Sequence, residues 1–237
     1  MKLFLSFSLT ITFIFWGTNE ASAQKFSKKL DNYIKGITAN LGQVSAERRA
    51  TLKKIGDYVY TELKANKKAQ LLAICTHNSR RSQIAQTWIA TAALYYGIQG
   101  VEAYSGGTEA TAFNKNAIAG LKRAGFFTVI GAGKNPKVMV ATSSNAEAWT
   151  MFSKKFTNWR NPQSNFGGIM VCSDADKACP VVPGAAQRFS LPFNDPRHFD
   201  NTSAQNAKYD ETVKKIAQEM FLMMKYVRDK VVLKKNN

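Results

Sequence analysis

Residues 69–96 read AQLLAICTHNSRRSQIAQTWIATAALYY. The opening run, Ala69–Thr76, is short and apolar, and its length and flanks predict a buried strand. Ser82–Tyr96 has helical propensity and meets Gly97, a residue suited to close a helix. Between them lies a tight polar loop. A strand, a loop and a helix in this order open a βαβ unit.

Outward from this unit the pattern repeats. Val101–Ser105 predicts a second strand, and Gly106-Gly107 a turn. Asn114–Ala124 predicts a helix that stops at Gly125. Lys137–Thr142 (KVMVAT) predicts a third strand, Ala146–Phe156 a third helix, and Gly168–Ser173 (GIMVCS) a fourth strand. Pro180, Pro183, Pro192 and Pro196 mark a long irregular stretch, and a helix from about Ser203 to Val231 closes the chain. Strands alternating with helices imply an α/β fold, here a four-stranded parallel sheet with helices on both faces. Such sheets bind ligands at the carboxyl ends of their strands.

Upstream, residues 24–68 predict a helical extension. Ser45 is placed to cap a helix with Glu47 in its first turn, and Leu52, Ile55, Val59 and Leu63 share one face. Residues 1–23 read as an address. Lys2 supplies positive charge, Leu3–Trp16 an apolar run, and Ala21-Ser22-Ala23 the small residues of a cleavage site. This is the pattern of a secretory signal peptide, so export to the periplasm or medium is expected, with no membrane span after its removal. The domain then covers 69–237.

Composition sets limits. With 45% hydrophobic residues in 237, the chain can bury a core, which excludes a disordered tail. The formal charge of +17 attracts anions of some kind. The basic residues lack the aromatic interleaving of a nucleic-acid groove, and export argues against nucleic acid as a partner. Three cysteines, Cys75, Cys172 and Cys179, leave one reactive thiol and one pair that can cycle or stay closed.

The loop Cys75-Thr76-His77-Asn78-Ser79-Arg80-Arg81-Ser82 carries the chemistry. A loop of this length at a helix N-terminus can point its backbone N–H groups inward, from Thr76 through Arg81, and so cradle an anion. Arg81 can fork two donors onto a tetrahedral oxyanion. The helix dipole and the arginine favour the thiolate of Cys75, and Ser82 is placed to donate a hydrogen bond to it. A thiolate aimed at a bound oxyanion is a nucleophile with its substrate in place.

The loop resembles the phosphate-binding loop of low-molecular-weight protein tyrosine phosphatases, and more closely that of the thioredoxin-coupled arsenate reductases of the same fold. Ser105–Ala110 and Asn116–Gly125 resemble the superfamily's second strand and following helix, and Asn194-Asp195-Pro196 its acid loop. The resemblance covers about 69–231 and leaves 24–68 outside. Two residues depart from the pattern: His77 stands where a glycine is usual, and Arg80 where a second cysteine or an apolar residue is usual. A phosphatase of this kind needs Cys75, Arg81 and Asp195 as acid. Arg197 and His198 stand where phosphatases often place tyrosines, and Phe199 could partly replace them.

A reductase needs thiols as well, because its substrate takes two electrons. VCSDADKACPVVPGA, from Val171, resembles the redox segment of the arsenate reductases. The resemblance implies a relay from Cys75 to Cys172 to Cys179, renewed by a thioredoxin-like reductant, with Gly167, Gly168 and Gly184 as candidate hinges. The substrate is then arsenate, and the alternative is a phosphate monoester hydrolysed by a phosphatase whose Cys172 and Cys179 form a static disulfide. A module that only binds an oxyanion remains a third reading. No cofactor is implied. A zinc site lacks further ligands at suitable spacing, and Asp174 with Asp176 is half a calcium loop without its glycine and distal glutamate.

Overall fold

The computed structural model describes residues 26–235, so the segment read as a signal peptide lies outside the described residues. Among them no helix is long and apolar enough to cross a membrane. The described residues open with α1 (Lys28–Thr38) and α2 (Ala46–Lys64). Ser27 and Ser45 cap these helices by accepting from the N–H of Leu30 and of Arg48. Leu52, Ile55 and Val59 are buried along one face of α2, and Leu63 packs at its edge.

Next come β1 (Ala69–Cys75), α3 (Arg81–Tyr95) and β2 (Val101–Gly107). α4 (Lys115–Ala124) is capped by the Asn114 carboxamide and ends at Gly125, whose φ of 115° a side chain would disfavour. Then follow β3 (Phe127–Ile130), β4 (Val138–Ala141), β5 (Trp149–Met151), β6 (Phe166–Met170), α5 (Ser173–Ala178), β7 (Ala185–Ser190) and α6 (Gln205–Lys235).

The main sheet has four parallel strands in the order β2-β1-β6-β7. α2 and α3 pack on the sheet, α6 packs over α2, α3 and α4, and α5 sits against β1 and β6. The expected fold class holds, but its strands are redistributed. Lys137–Thr142 does contain a strand, β4, yet it pairs antiparallel with β3 and β5 in a separate three-stranded sheet. Ala146–Phe156 is not a helix: β5 and irregular chain occupy it, because Val138 pairs with Met151 and Asn135 holds both the N–H and the carbonyl of Ser153. Tertiary pairing overrides the helix preference of Ala146-Glu147-Ala148. The fourth strand of the parallel sheet is β7, inside the stretch expected to be irregular.

Gly106-Gly107 is not a turn but the end of β2. A Cβ on Gly107 would lie 2.6 Å from Asn78 N and 2.7 Å from Thr76 O, so the glycine is there to let the loop after β1 lie flat on the strand. Gly167 and Gly168 are likewise strand residues of β6. A Cβ on Gly167 would meet the Tyr58 ring at 2.9 Å, which makes it a packing glycine and not a hinge.

One aromatic cluster joins the N-terminal helices to the rest. Trp88 of α3 stacks on Tyr33 of α1 at 5.7 Å and meets Phe126 and Phe221 edge-on at 4.9 and 6.0 Å. α1 and α2 therefore share the core with the sheet.

Strand order places the site. From β1 the chain turns to β2 on one side, and from β6 it turns to β7 on the other. The loops after β1 and β6 therefore leave a crevice at adjacent carboxyl ends, where such sheets bind ligands. Cys75 ends β1, and Cys172 stands two residues beyond β6.

Candidate active site

The loop between β1 and α3 turns its carbonyls outward. Cys75 O accepts from Thr108 N, Thr76 O from Glu109 N and the Thr108 hydroxyl, and Ser79 O from Asn114 N. His77 O accepts from the hydroxyls of Ser153 and Thr111, and Asn78 O from the Gln83 carboxamide. In a planar trans peptide the carbonyl and the next N–H point in opposite directions. The N–H groups of His77 to Arg80 therefore face the inside of the loop, as an anion cradle requires, while the Thr76 N–H reaches Cys172.

Asn78 is the keystone. Its φ of 45° is left-handed, a region asparagine tolerates better than most residues. Fully buried, its carboxamide accepts from Lys154 N at 2.9 Å and donates to Ser82 Oγ at 2.9 Å. With that lone pair of Ser82 occupied, the serine's own hydrogen is free to point at Cys75 Sγ, 3.0 Å away. The Asn78 side chain thus shapes the cradle and aims Ser82. Ser79 is turned away, donating its hydroxyl to Ala112 O at 2.7 Å. His77 Nε2 lies 3.5 Å from Glu109 Oε2 at the rim.

The two arginines converge on the acid loop. Arg81 donates from Nη1 to Phe193 O at 2.8 Å and from Nη2 to Asp195 Oδ2 at 2.7 Å. Arg80 donates from Nε to Asp195 Oδ1 at 2.8 Å and from Nη2 to Oδ2 at 3.3 Å. Burial favours the neutral Asp195 carboxyl, but the charges of Arg81 and Arg80 outweigh it and hold the group below its ordinary value of 3.8. Asp195 is therefore ionised at neutral pH, with its charge in the place an oxyanion would take on Arg81. Cys75, Thr76, His77, Ser79, Arg80, Arg81 and Asp195 line the small cleft that results.

A pH test follows. A carboxyl whose value falls on folding contributes stability above its unfolded value and loses it as pH falls through the folded one. Asp195→Asn is expected to cost about 1–3 kcal/mol at neutral pH. In urea titrations the gap between wild type and variant should stay open down to about pH 4 and close below it.

Cys172 is fully buried, with Sγ 3.4 Å from Thr76 Oγ1 of the same loop. Burial pushes its thiol up, but hydrogen bonds from the Thr76 hydroxyl and the Ala175 N–H, the charge of Arg81 and the Thr76 N–H together bring it below the ordinary value. Cys179 is half-buried at the far end of α5, and all three thiols are unpaired. The seven-residue step from Cys172 to Cys179 along this helix spans roughly 10 Å. A disulfide needs Cα atoms within about 7 Å, so joining the two requires α5 to unwind. Arg188 of β7 opposes unwinding: it donates to Cys179 O at 3.0 Å and to Asp176 O at 2.7 Å, and pairs with the Asp176 carboxylate.

Sequence reasoning missed Gln83, Lys154 and Arg188. Gln83 directly follows the loop, and that position was the available signal. No spacing ties Lys154 or Arg188 to the site. Among the described residues no group of three or more His, Cys, Asp or Glu side chains is placed to hold a metal.

No family model matches the chain. Arsenate reductase 2 of Staphylococcus epidermidis is 30% identical over 131 residues, which are 54% of this chain and 79% of that relative. Arsenate reductase 2 of Staphylococcus haemolyticus is 32% identical over the same shares. Among solved structures, a YwlE mutant from Bacillus subtilis aligns over 67% of this chain and 97% of its own, with a TM-score of 0.47 and 15% identity. A thioredoxin-dependent arsenate reductase of Corynebacterium glutamicum aligns over 79% and 92%, with a TM-score of 0.34 and 18% identity. On the sequence match, the chain belongs to the family of these arsenate reductases.

Proposed function

We propose that this protein reduces arsenate to arsenite through a three-cysteine relay. The observation that carries the reading is the second thiol, Cys172, on Thr76 of the loop whose first residue is Cys75. A phosphatase has no use for a buried, ionisable thiol at that position.

The chemistry balances as two electrons out of two thiols. Arsenate enters the cradle and takes the Arg81 donors from Asp195. The Cys75 thiolate forms a bond to arsenic, and one arsenate oxygen leaves as water. Asp195, relieved of one arginine, gains affinity for a proton and can deliver it to that oxygen. The Cys172 thiolate then attacks the sulfur of Cys75. The sulfur–arsenic bond breaks with its electron pair on arsenic, arsenite departs, and a Cys75–Cys172 disulfide remains. Cys179 next attacks Cys172 as α5 unwinds, which frees the Cys75 thiolate and leaves a Cys172–Cys179 disulfide. A dithiol protein of the thioredoxin type reduces it by the same exchange chemistry. The reading includes export, supported by the pattern of residues 1–23.

The test is Cys172→Ser with two substrates. With thioredoxin and its reductase supplied, sustained arsenite release should fall by at least about a thousandfold, while any p-nitrophenyl phosphate hydrolysis by Cys75 stays within about twofold. Sustained arsenite release by the variant would sink the relay.

A further inference from the structure

Glu219 of α6 is 2% exposed and has no part in the chemistry above. Its partner is Arg48 of α2, in the segment that lies outside the family resemblance. Arg48 grips both carboxylate oxygens, Nε to Oε1 at 2.5 Å and Nη2 to Oε2 at 2.6 Å. Its remaining nitrogen donates to Pro192 O at 3.0 Å, and its guanidinium lies over the Phe193 ring, 4.6 Å from the centroid. Pro192 and Phe193 form the approach to Asp195. On the opposite side Phe193 O accepts from Arg81, and Phe193 N donates to Val171 O at 3.1 Å.

We propose that Arg48 is a positioning residue for the active site, fixing the Pro192–Phe193 segment and through it the Arg81 guanidinium and the Asp195 carboxylate. This rests on the reading of Arg81 and Asp195 as oxyanion clamp and acid, and holds for a reductase or a phosphatase alike. The N-terminal helices then belong to the catalytic machinery.

Two physical points support the assignment. A buried ion pair is a poor source of stability, because desolvation of both charges offsets their attraction. Burial in fact pushes the Glu219 carboxyl above its ordinary value, against the pull of Arg48 and Lys215. What the pair supplies is geometry. A guanidinium has five donors in a rigid plane, enough to hold a carboxylate, a carbonyl and a ring face at once. An ammonium cannot replace that plane.

The test must separate position from folding. Arg48→Met alone strands a buried carboxylate, so the informative protein is the double variant Arg48→Met with Glu219→Met, an apolar replacement of the pair. It should fold with a melting temperature close to wild type. Its kcat for arsenate, and for p-nitrophenyl phosphate where wild type hydrolyses it, should fall roughly 10- to 100-fold. The acid limb of the kcat–pH profile should move, because Asp195 is no longer held against Arg81. Phosphate should protect Cys75 from iodoacetamide less well than in wild type, and Arg48→Lys should rescue little. A folded double variant with wild-type kcat, pH profile and protection overturns this proposal alone. Absence of phosphate protection in wild type overturns the anion-loop reading and this proposal with it.

Discussion

Cys75→Ser should lose arsenate reduction and any phosphate-ester hydrolysis by about four orders of magnitude or more, the scale on which removing a covalent nucleophile acts. A serine hydroxyl is un-ionised at neutral pH and is a far weaker nucleophile than a cysteine sulfur. The fold should survive, since a hydroxyl at this position can bond to Ser82 Oγ, which stands 3.0 Å from Cys75 Sγ. Oxyanion binding should survive too, because the cradle is backbone. Phosphate at a hundred times its dissociation constant should stabilise the variant by about 2.7 kcal/mol, seen as a rise in melting temperature. Residual turnover within tenfold of wild type would show that another residue is the nucleophile.

Arg81→Lys should cost about 10²- to 10³-fold in kcat/KM for either substrate although the charge is kept. Arg81 meets two differently placed acceptors at once, the Phe193 carbonyl and the Asp195 carboxylate. An oxyanion that displaces Asp195 needs the same fork. One ammonium can satisfy one of these positions well, so either the carbonyl of the acid loop or the substrate is left with a poorer partner. The loss should appear in kcat as well as KM, because the same guanidinium stabilises charge that builds up in the transition state. A change confined to KM would mean that Arg81 only attracts the anion.

The part of the site that was legible before folding is local. A strand, a cysteine, a loop and a helix follow one another within 69–96, and that order is read from neighbouring residues, although the contacts that hold the turn come from Thr108, Glu109, Thr111, Asn114, Ser153 and Lys154. The helix after Asn114 and its stop at Gly125 are legible for the same reason, while the capping role of Asn114 is seen only in the structure. Residues 137–156 misled because KVMVAT carries a strand signal without stating its partner, and Ala146-Glu147-Ala148 favours a helix that the pairing of β5 with β4 forbids. β7 was hidden among prolines. Its extended form is stabilised by hydrogen bonds to β6, a partner that a parallel sheet always draws from across a crossover.

The chain's local chemistry already implied an anion loop with a nucleophilic sulfur, a βαβ frame and a later pair of thiols. Folding alone decided which groups meet. Cys172 reaches Thr76 from 96 residues away, Asp195 reaches Arg80 from 115, and Arg48 reaches Glu219 from 171. Such contacts depend on strand order and helix packing, and no spacing along the chain encodes them. A charged side chain takes whichever partner the packed core presents, so the pairing of Arg81 with Asp195 and the contact of Arg48 with Pro192 and Phe193 became readable only in three dimensions.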